Sequence, residues 1–306
     1  MIIKYSGMDK KKVLIIMNPY AGRKQANRHL AGILEIFCEA GYINTVMMTG
    51  YAGHGVELTR DYAPLHDMVV AIGGDGTLRE VVNGLSQAKA DIPVGYIPAG
   101  STNDFSRSLL ISSDPIMAAR DIVAGDQIQI DVGSFNGSRF AYVASFGAFT
   151  QSSYETPQAV KNAFGHSAYV ASAMKEIGNI KTYHLKVESD ETTLEGDYIF
   201  GAFSNATSLG GVLKLKSDAV DLSDGKFEVM LVKQVKTLSQ LANLASDVAN
   251  MDYGGSITEF FSAEKVKITA SPDMNWSLDG EYCEGCENIT IENIPRMLKL
   301  IVNNNR

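Results

Sequence analysis

The segment that most constrains the fold is Val69–Leu85, with the sequence VVAIGGDGTLREVVNGL. A short apolar run, Met68–Ile72, is typical of a buried strand and ends at a turn that contains three glycines and one aspartate. Apolar residues at helical spacing follow this turn, at Leu78, Val81, Val82 and Leu85. Thr77 and Glu80 match a capping box at the start of that helix. The segment therefore predicts a strand, a tight turn and a helix in direct succession.

A glycine-rich turn between a strand and a helix is suited to bind phosphate. Its backbone N–H groups are accessible, and the helix presents its positive dipole end to the ligand. Asp75 is negatively charged and would repel a phosphate bound at this turn. Its presence is explained if it binds Mg²⁺, which in turn binds the phosphate. The alternative is a tight turn with a surface aspartate. The spacing matches neither the G-x-G-x-x-G pattern of dinucleotide-binding proteins nor a P-loop.

Two further polar loops follow predicted strands. NPYAG (Asn18–Gly22) comes after the apolar run Val13–Met17, and PAGSTNDF (Pro98–Phe105) comes after PVGYIP. Thr49, at the end of another predicted strand, is a weaker candidate of the same kind. Because the carboxyl ends of parallel strands open on one edge of a sheet, we expect these loops to converge there with the glycine turn.

The pattern of elements changes near Asp126. Before it, strand and helix signals alternate, which predicts an α/β domain with a mostly parallel, Rossmann-like sheet over residues 8–126. After it, short strands with hairpin-length connections predict a mainly antiparallel β-sandwich domain over 127–292. Two helical patterns interrupt the second part, at 157–177 and 238–251. The final segment 293–306 is expected to contain one more strand, and its return to complete the first domain is an open alternative.

Composition excludes several classes of protein. A net charge of −8 argues against nucleic-acid binding, which needs a basic face. No apolar run approaches the roughly 20 residues of a transmembrane helix. Three cysteines are too few for a disulfide framework and favour a reducing, cytoplasmic location. The sequence CEGC at 283–286 lacks the partners that would complete a zinc site.

The ordered motifs NPxxG, GGDGTxxE, P-x-G-[ST]-x-N-D-F and the D-G-E of Asp279–Glu281 resemble the diacylglycerol kinase catalytic domain family, and its soluble bacterial members most of all. The resemblance implies an NAD-kinase-like first domain and an active site between the two domains. It also implies that Glu281 is the catalytic base. This chain has Ser101 where family members usually have Thr, and Arg79 where they usually have Asn. The residues that the resemblance assigns to ATP are Asn18, Pro19, Tyr20, Ala21, Gly22, Thr49, Gly74, Asp75, Gly76, Thr77, Leu78, Arg79, Glu80 and Ser101.

The resemblance also implies a structural Mg²⁺ in the second domain, at VDLSDGKF. Asp224 would bind it through its carboxylate, and Asp221 and Lys226 through their carbonyl oxygens. From the residues alone, Ser-Asp-Gly is simply a favourable turn.

These features lead us to expect an ATP- and Mg²⁺-dependent lipid kinase that phosphorylates the primary hydroxyl of diacylglycerol. Asp75, Asp104 and Glu281 are the predicted catalytic groups, although Asp104 is equally suited to cap a helix. The protein is expected to meet its substrate as a peripheral protein at the inner membrane surface, and a homodimer remains open. The alternatives are a kinase for another lipid alcohol (a sphingoid base, phosphatidylglycerol or an isoprenoid), an NAD kinase, a non-catalytic lipid sensor and, more distantly, an NAD(P)-dependent oxidoreductase.

Overall fold

The structure, a computed structural model, describes residues 10–24, 26–100, 103–148, 180–206, 208–209, 213–214 and 221–303. The chain divides into two compact units, of which the first comprises Met1–Gln129 and Leu298–Arg306 and the second comprises Ile130–Met297. Ser101 and the helical pattern expected over 157–177 lie outside the described residues.

The first unit alternates strands and helices. Its strands are β1 (Lys12–Met17), β2 (Ile43–Met48), β3 (Met68–Gly73), β4 (Val94–Pro98) and the end of the last strand of the chain (Asn288–Val302). Its helices are α1 (Ala26–Glu39), α2 (His54–Tyr62), α3 (Asp75–Ala88), α4 (Asp104–Ser108) and α5 (Pro115–Ala124), with 3-10 turns at Ala21–Lys24 and Ala63–Leu65.

The strands of this unit form a parallel sheet. β1 lies between β2 and β3, β4 pairs with β3, and Leu300 of the last strand pairs in parallel with Val94 of β4. Alternate side chains of β1 and β3 point to opposite faces, and both faces are fully buried, which explains why these strands are continuous apolar runs. On one face, Phe37 of α1 and Ile122 of α5 belong to the same core cluster as Ile15.

The helix boundaries follow the sequence signals at α5. Asp114 is the N-cap, and its Oδ1 accepts hydrogen bonds from the N–H groups of Ile116 and Met117, both at 2.9 Å. Pro115 occupies the first helical position and Gly125 ends the helix, as predicted.

The second unit is dominated by antiparallel strands. They are β5 (Asp126–Phe135), β6 (Ser138–Phe140), β7 (Val143–Gly147), β8 (Tyr183–Glu188), β9 (Thr193–Ser204), β10 (Ser208–Leu209), β11 (Leu213–Lys214), β12 (Phe227–Lys233), β13 (Thr258–Ala263), β14 (Lys265–Ala270), β15 (Trp276–Leu278), β16 (Glu281–Cys283) and β17 (Asn288–Val302). Among the described residues of this unit, the helix α6 (Leu238–Asn250) begins with a capping box between Thr237 and Gln240.

The strands of the second unit run in the order β16, β15, β7, β9, β8, β14 and β17, and β12 joins β9 to β13. Trp276 is fully buried at the centre of the core, with the rings of Phe135, Phe146 and Phe203 at centroid distances of 5.0, 5.0 and 5.7 Å. The fold class is therefore the predicted one, a parallel α/β unit and an antiparallel β unit. Within the described ranges, no helix is long and apolar enough to cross a membrane.

Candidate active site

The loops after β1, β3 and β4 meet at the carboxyl edge of the parallel sheet. The N–H group of Asn18 donates to the carbonyl oxygen of Ile72 at 2.9 Å, and the N–H group of Ala99 donates to that of Gly73 at 2.7 Å. Thr49 joins the same edge through its N–H group, which donates to the carbonyl oxygen of Met17 at 2.9 Å. The convergence expected from the sequence is therefore present in the structure.

Glycines allow these loops to approach so closely. A Cβ atom on Gly22 would lie 2.0 Å from the carbonyl oxygen of Ala99, and the φ angle of Gly22, +51°, also disfavours a side chain. A Cβ atom on Gly100 would lie 2.6 Å from the Cα atom of Gly74. Side chains at these two positions would force the loops apart, so glycine is required for contact rather than for flexibility alone.

Asp75 is the first residue of α3, and its side chain is buried between the loops. Its Oδ2 accepts the N–H group of Asp104 at 2.9 Å, and its Oδ1 accepts the hydroxyl of Tyr96 at 3.2 Å. The carboxylate also lies at the positive end of the helix dipole. Asp75 thus connects the glycine turn to the loop after β4 and fixes the position of Asp104.

Asp104 is a buried carboxylate with unused capacity to accept hydrogen bonds. It is 1% exposed, and its Oδ1 has no hydrogen-bond donor among the described residues. Burial raises the pKa of Asp104, and Arg107, whose Nη1 lies 3.9 Å from Oδ1, partly opposes that rise. Asn103, at φ +51°, is the N-cap residue of α4, so Asp104 does not cap this helix.

Two amide groups of the glycine turn are available to a ligand. The N–H groups of Gly74 and Gly76 make no hydrogen bond to any described residue, and both lie at the N-terminus of α3. Unsatisfied N–H groups at a helix start match phosphate oxygens, and the open oxygen of Asp104 matches Mg²⁺. The residues of this edge therefore fit a nucleotide with its metal ion.

The predicted capping box is wrong. α3 begins at Asp75, two residues earlier than Thr77, with Gly74 as its N-cap. The carboxylate of Glu80 instead accepts the N–H groups of Gly53 and Gly55, at 2.7 and 2.8 Å, and so caps α2. The N–H groups at the start of α2 have no acceptor within their own helix, and Glu80 binds them instead of the start of α3. The local sequence pattern around Glu80 cannot reveal this contact.

The other predicted ATP contacts differ in exposure. Tyr20 is 70% exposed, and its N–H group donates to Oδ1 of Asn18 at 3.0 Å, beside Pro19 and Ala21. Thr77 and Leu78 are buried, and Leu78 faces the core. Arg79 is half-buried, and its Nε has no hydrogen-bond partner in the described part of the chain.

The D-G-E motif forms the tip of a β-hairpin in the second unit. Asp279 and Gly280, at φ +51° and +86°, make a two-residue turn between β15 and β16, and Glu281 pairs with Leu278. The carboxylate of Asp279 is 3% exposed and accepts three backbone N–H groups: Ala141 at 2.6 Å, Tyr142 at 3.0 Å and Val143 at 3.1 Å.

This clamp explains two features of the hairpin. The sequence RFAYVASF reads as one strand, but the structure interrupts it between β6 and β7 at Ala141 and Tyr142, whose N–H groups donate to Asp279. Asp279 also holds the turn in place, whereas the side chain of Glu281 is exposed. Within the motif, the aspartate therefore has a structural role, and the glutamate is available for chemistry.

The predicted metal loop, residues 221–226, is held by buried polar groups and is hereafter called the D-G loop. Oδ2 of Asp131, a fully buried residue, accepts the N–H group of Gly225 at 2.7 Å. Asn205 donates to the carbonyl oxygen of Leu222 at 3.3 Å, and Asn293 donates to that of Lys226 at 2.6 Å. The sequence analysis missed these three residues, since only the fold brings them to the loop.

The D-G loop fits a cation in part. Oδ1 of Asp224 accepts the N–H group of Lys226 at 2.9 Å, and Oδ1 of Asp221 accepts that of Ser223 at 2.9 Å, which leaves the other carboxylate oxygens of both aspartates unused by these contacts. The carbonyl oxygen of Lys226 already accepts one hydrogen bond and keeps a second lone pair. No three His, Cys, Asp or Glu side chains of the described residues form a ready-made metal cluster. Backbone carbonyls and water would therefore complete the coordination.

Glu228, two residues beyond the D-G loop, was also missed. It is 4% exposed, and burial, followed by the charge of Asp224, raises its pKa to about 7. Its sequence signal is a single glutamate in the apolar run KFEVMLV.

Comparison with known proteins identifies both parts of the chain. Residues 12–135 match the family model described as "Diacylglycerol kinase catalytic domain", and residues 145–302 match "YegS C-terminal NAD kinase beta sandwich-like domain". A diacylglycerol kinase of Bacillus subtilis (strain 168) is 34% identical over 281 residues, which cover 89% of this chain and 90% of that protein. A diacylglycerol kinase of Staphylococcus aureus (strain MRSA252) is 34% identical over 277 residues, which cover 89% of this chain and 87% of that protein.

A solved structure has the same fold. The crystal structure of a diacylglycerol kinase from Bacillus anthracis (strain Sterne) superimposes with a TM-score of 0.71 at 21% sequence identity, over 97% of this chain and 99% of that one.

Proposed function

The chain belongs to the diacylglycerol kinase catalytic domain family, and on that premise we propose that it transfers the γ-phosphoryl group of ATP, with Mg²⁺, to the primary hydroxyl of diacylglycerol. The products are ADP and phosphatidic acid. The observation that carries this proposal is the convergence of three strand-end loops on the start of α3, where the N–H groups of Gly74 and Gly76, which have no partner among the described residues, flank the buried Asp75.

Each group at the edge of the parallel sheet has a distinct role in this proposal. Gly74 and Gly76 donate their N–H groups to phosphate oxygens at the start of α3. Asp104 offers a carboxylate oxygen to the metal ion. Asp75 holds Asp104 in place because its Oδ2 accepts the N–H group of Asp104. Bound ATP and Mg²⁺ supply the phosphoryl group and neutralise its charge. This part of the protein contributes position and electrostatics rather than covalent chemistry.

Glu281 is the proposed general base. As the substrate hydroxyl oxygen bonds to the γ-phosphorus, the bond from that phosphorus to the bridging oxygen of ADP breaks, and the hydroxyl proton passes to Glu281. Such assistance is typically worth about 10²–10⁴-fold in rate. Its exposed side chain, on a turn fixed by the buried carboxylate of Asp279, supports this role.

The lipid substrate implies that the protein works at a membrane surface. We assign it a peripheral association with the cytoplasmic face of the membrane, since diacylglycerol resides in the bilayer.

The test is transfer of label from γ-labelled ATP to lipids in mixed micelles that contain diacylglycerol, ceramide, phosphatidylglycerol or no lipid, with NAD in a parallel reaction. We expect label in phosphatidic acid. Glu281→Gln should slow its formation about 10²–10⁴-fold, and Glu284→Gln, which removes an exposed carboxylate from the same segment, should not.

Other outcomes would change the assignment in specific ways. Label in ceramide or phosphatidylglycerol would keep the mechanism and change the substrate. Label in NAD alone would refute the lipid assignment, and no transfer to any acceptor would refute the proposed activity.

A further inference from the structure

Glu228 is a buried carboxylate that no basic side chain of the described residues neutralises. It is the second residue of β12, with Ser204 and Ser262 opposite it on the flanking strands β9 and β13. None of the ion pairs among the described residues includes Glu228, and its Oε2 has no hydrogen-bond donor there. A buried carboxylate in this condition destabilises the fold unless another group compensates.

The charges around Glu228 make a compensating positive group still more favourable. Burial and then the charge of Asp224 raise the pKa of Glu228 most, a backbone hydrogen bond of Glu228 and the Ser262 hydroxyl partly oppose this rise, and the charge of Asp221 adds least to it. Like charges near a buried carboxylate favour the uptake of a positive charge.

Two other buried oxygens beside the D-G loop lack a hydrogen-bond donor among the residues that the structure describes. Asn205 and Asn293 use their amide N–H₂ groups on carbonyl oxygens of the loop, at Leu222 and Lys226. Their Oδ1 atoms, like Oε2 of Glu228, are buried without a hydrogen-bond donor in the described part of the chain. The region around the loop therefore presents three buried acceptors that a hydrated cation, which carries both charge and donors, would satisfy.

We propose that Glu228 accepts a hydrogen bond from a water molecule bound to a divalent cation in the D-G loop, and that it thereby sets the affinity of the loop for Mg²⁺. Mg²⁺ suits this role because it keeps several of its waters and takes only one or two carboxylates from a protein. The proposal depends on the cation site of the D-G loop and is independent of the ATP site of the first unit.

The expected effect is a change in cation affinity. Removal of a residue that hydrogen-bonds to the direct ligands of a metal ion typically weakens metal binding about 10–100-fold. Glu228→Gln keeps the shape of the side chain but removes its charge, so we expect Mg²⁺ to bind at least about tenfold more weakly. Without a cation, the same substitution should not destabilise the protein, because it removes a repulsive charge beside Asp224.

The experiment is thermal denaturation of the full chain without nucleotide at pH 8, first in EDTA and then in a titration with MgCl₂. The variants are Glu228→Gln, Asp224→Asn to assign the signal to the D-G loop, and Glu264→Gln, which removes an exposed carboxylate between β13 and β14. We expect Mg²⁺ to stabilise the wild type and Glu264→Gln equally, Glu228→Gln only at higher concentration, and Asp224→Asn hardly at all.

The order of stabilities separates this role from a merely structural one. In EDTA, Glu228→Gln should melt at or above the wild-type temperature, and in Mg²⁺ it should melt below it. Equal Mg²⁺ dependence of Glu228→Gln and the wild type would overturn the proposal, as would a wild type that Mg²⁺ does not stabilise. Phosphoryl transfer to diacylglycerol is measured separately, so a failure here is distinguishable from a failure of the proposed kinase activity.

Discussion

Substitution of Asp279 should impair both the stability of the protein and the chemistry of the neighbouring Glu281. The buried carboxylate of Asp279 accepts three backbone N–H groups at 2.6–3.1 Å and belongs to the turn that precedes Glu281. Two of these N–H groups, those of Ala141 and Tyr142, belong to residues outside the strands, so no strand partner can replace the carboxylate there. Asp279→Asn and Asp279→Ala therefore remove the contact to different degrees.

The magnitude follows from the number of bonds that each variant retains. In Asp279→Asn, the amide oxygen can keep the N–H groups of Tyr142 and Val143, but the amide nitrogen then faces the N–H group of Ala141. A hydrogen bond to a charged group contributes roughly 1.5–3 kcal/mol, so we expect a loss of about 2–3 kcal/mol in the free energy of unfolding. For a unit of this size, that corresponds to a fall of roughly 5–10 °C in Tm. Asp279→Ala should cost more, since three N–H groups lose their acceptor.

The kinetic consequence is a selective loss of turnover. Displacement of a catalytic group by about 1 Å can cost roughly 100-fold in rate, so Asp279→Asn should lower kcat for diacylglycerol by about that factor. The KM for ATP should not change, because the proposed ATP contacts belong to the first unit. The assays are calorimetric unfolding and steady-state kinetics, with Asp273→Asn as the control, since the carboxylate of Asp273 is exposed and pairs with Lys181 at 2.7 Å.

Either of two results would refute this reasoning about Asp279. An unchanged Tm would mean that the three hydrogen bonds do not stabilise the hairpin. A reduced Tm with unchanged kcat would mean that the position of the hairpin does not control Glu281, or that Glu281 is not the base.

Three further substitutions test other parts of the account. Glu80→Ala removes both carboxylate contacts to the start of α2 and should lower the free energy of unfolding by about 2–4 kcal/mol in urea denaturation; a change below about 1 kcal/mol would contradict the observed cap. Asp104→Asn should reduce kcat at least about 100-fold and yet raise Tm at neutral pH, because it removes a buried, poorly paired charge; full activity would exclude Asp104 from metal binding. Asp114→Ala should cost about 1 kcal/mol in unfolding without any effect on KM or kcat, and altered kinetics would show that α5 influences the site.

The sequence reveals those parts of the fold whose signals are local. β1 and β3 are buried on both faces, so each is a continuous apolar run that ends where the strand ends. Asp114, Pro115 and Gly125 mark α5 within the chain itself. The glycine turn is also visible in the local sequence, because its glycines are the residues that permit the close approach of the other loops.

The remaining parts depend on contacts between distant residues. Glu80 and Thr77 have the spacing of a capping box, but Glu80 caps a different helix, which no local pattern can indicate. Asp279 contacts residues that precede it by more than 130 positions, and Asp131 holds a loop 94 positions later. Buried polar groups of this kind appear in the sequence as ordinary strand or turn residues, and their partners are known only once the strands are paired.

The measurement that tests the central claim most directly is the calorimetric titration of ATP, in the presence of Mg²⁺, into the wild type, Gly100→Ala and Gly196→Ala. The Cβ atom of Gly100→Ala would lie 2.6 Å from the Cα atom of Gly74, whereas that of Gly196→Ala would approach no atom closer than 3.6 Å. If the converging loops bind the phosphates, the wild type and Gly196→Ala will bind ATP equally, and Gly100→Ala will bind at least about tenfold more weakly. Equal ATP binding by Gly100→Ala and the wild type would contradict the account.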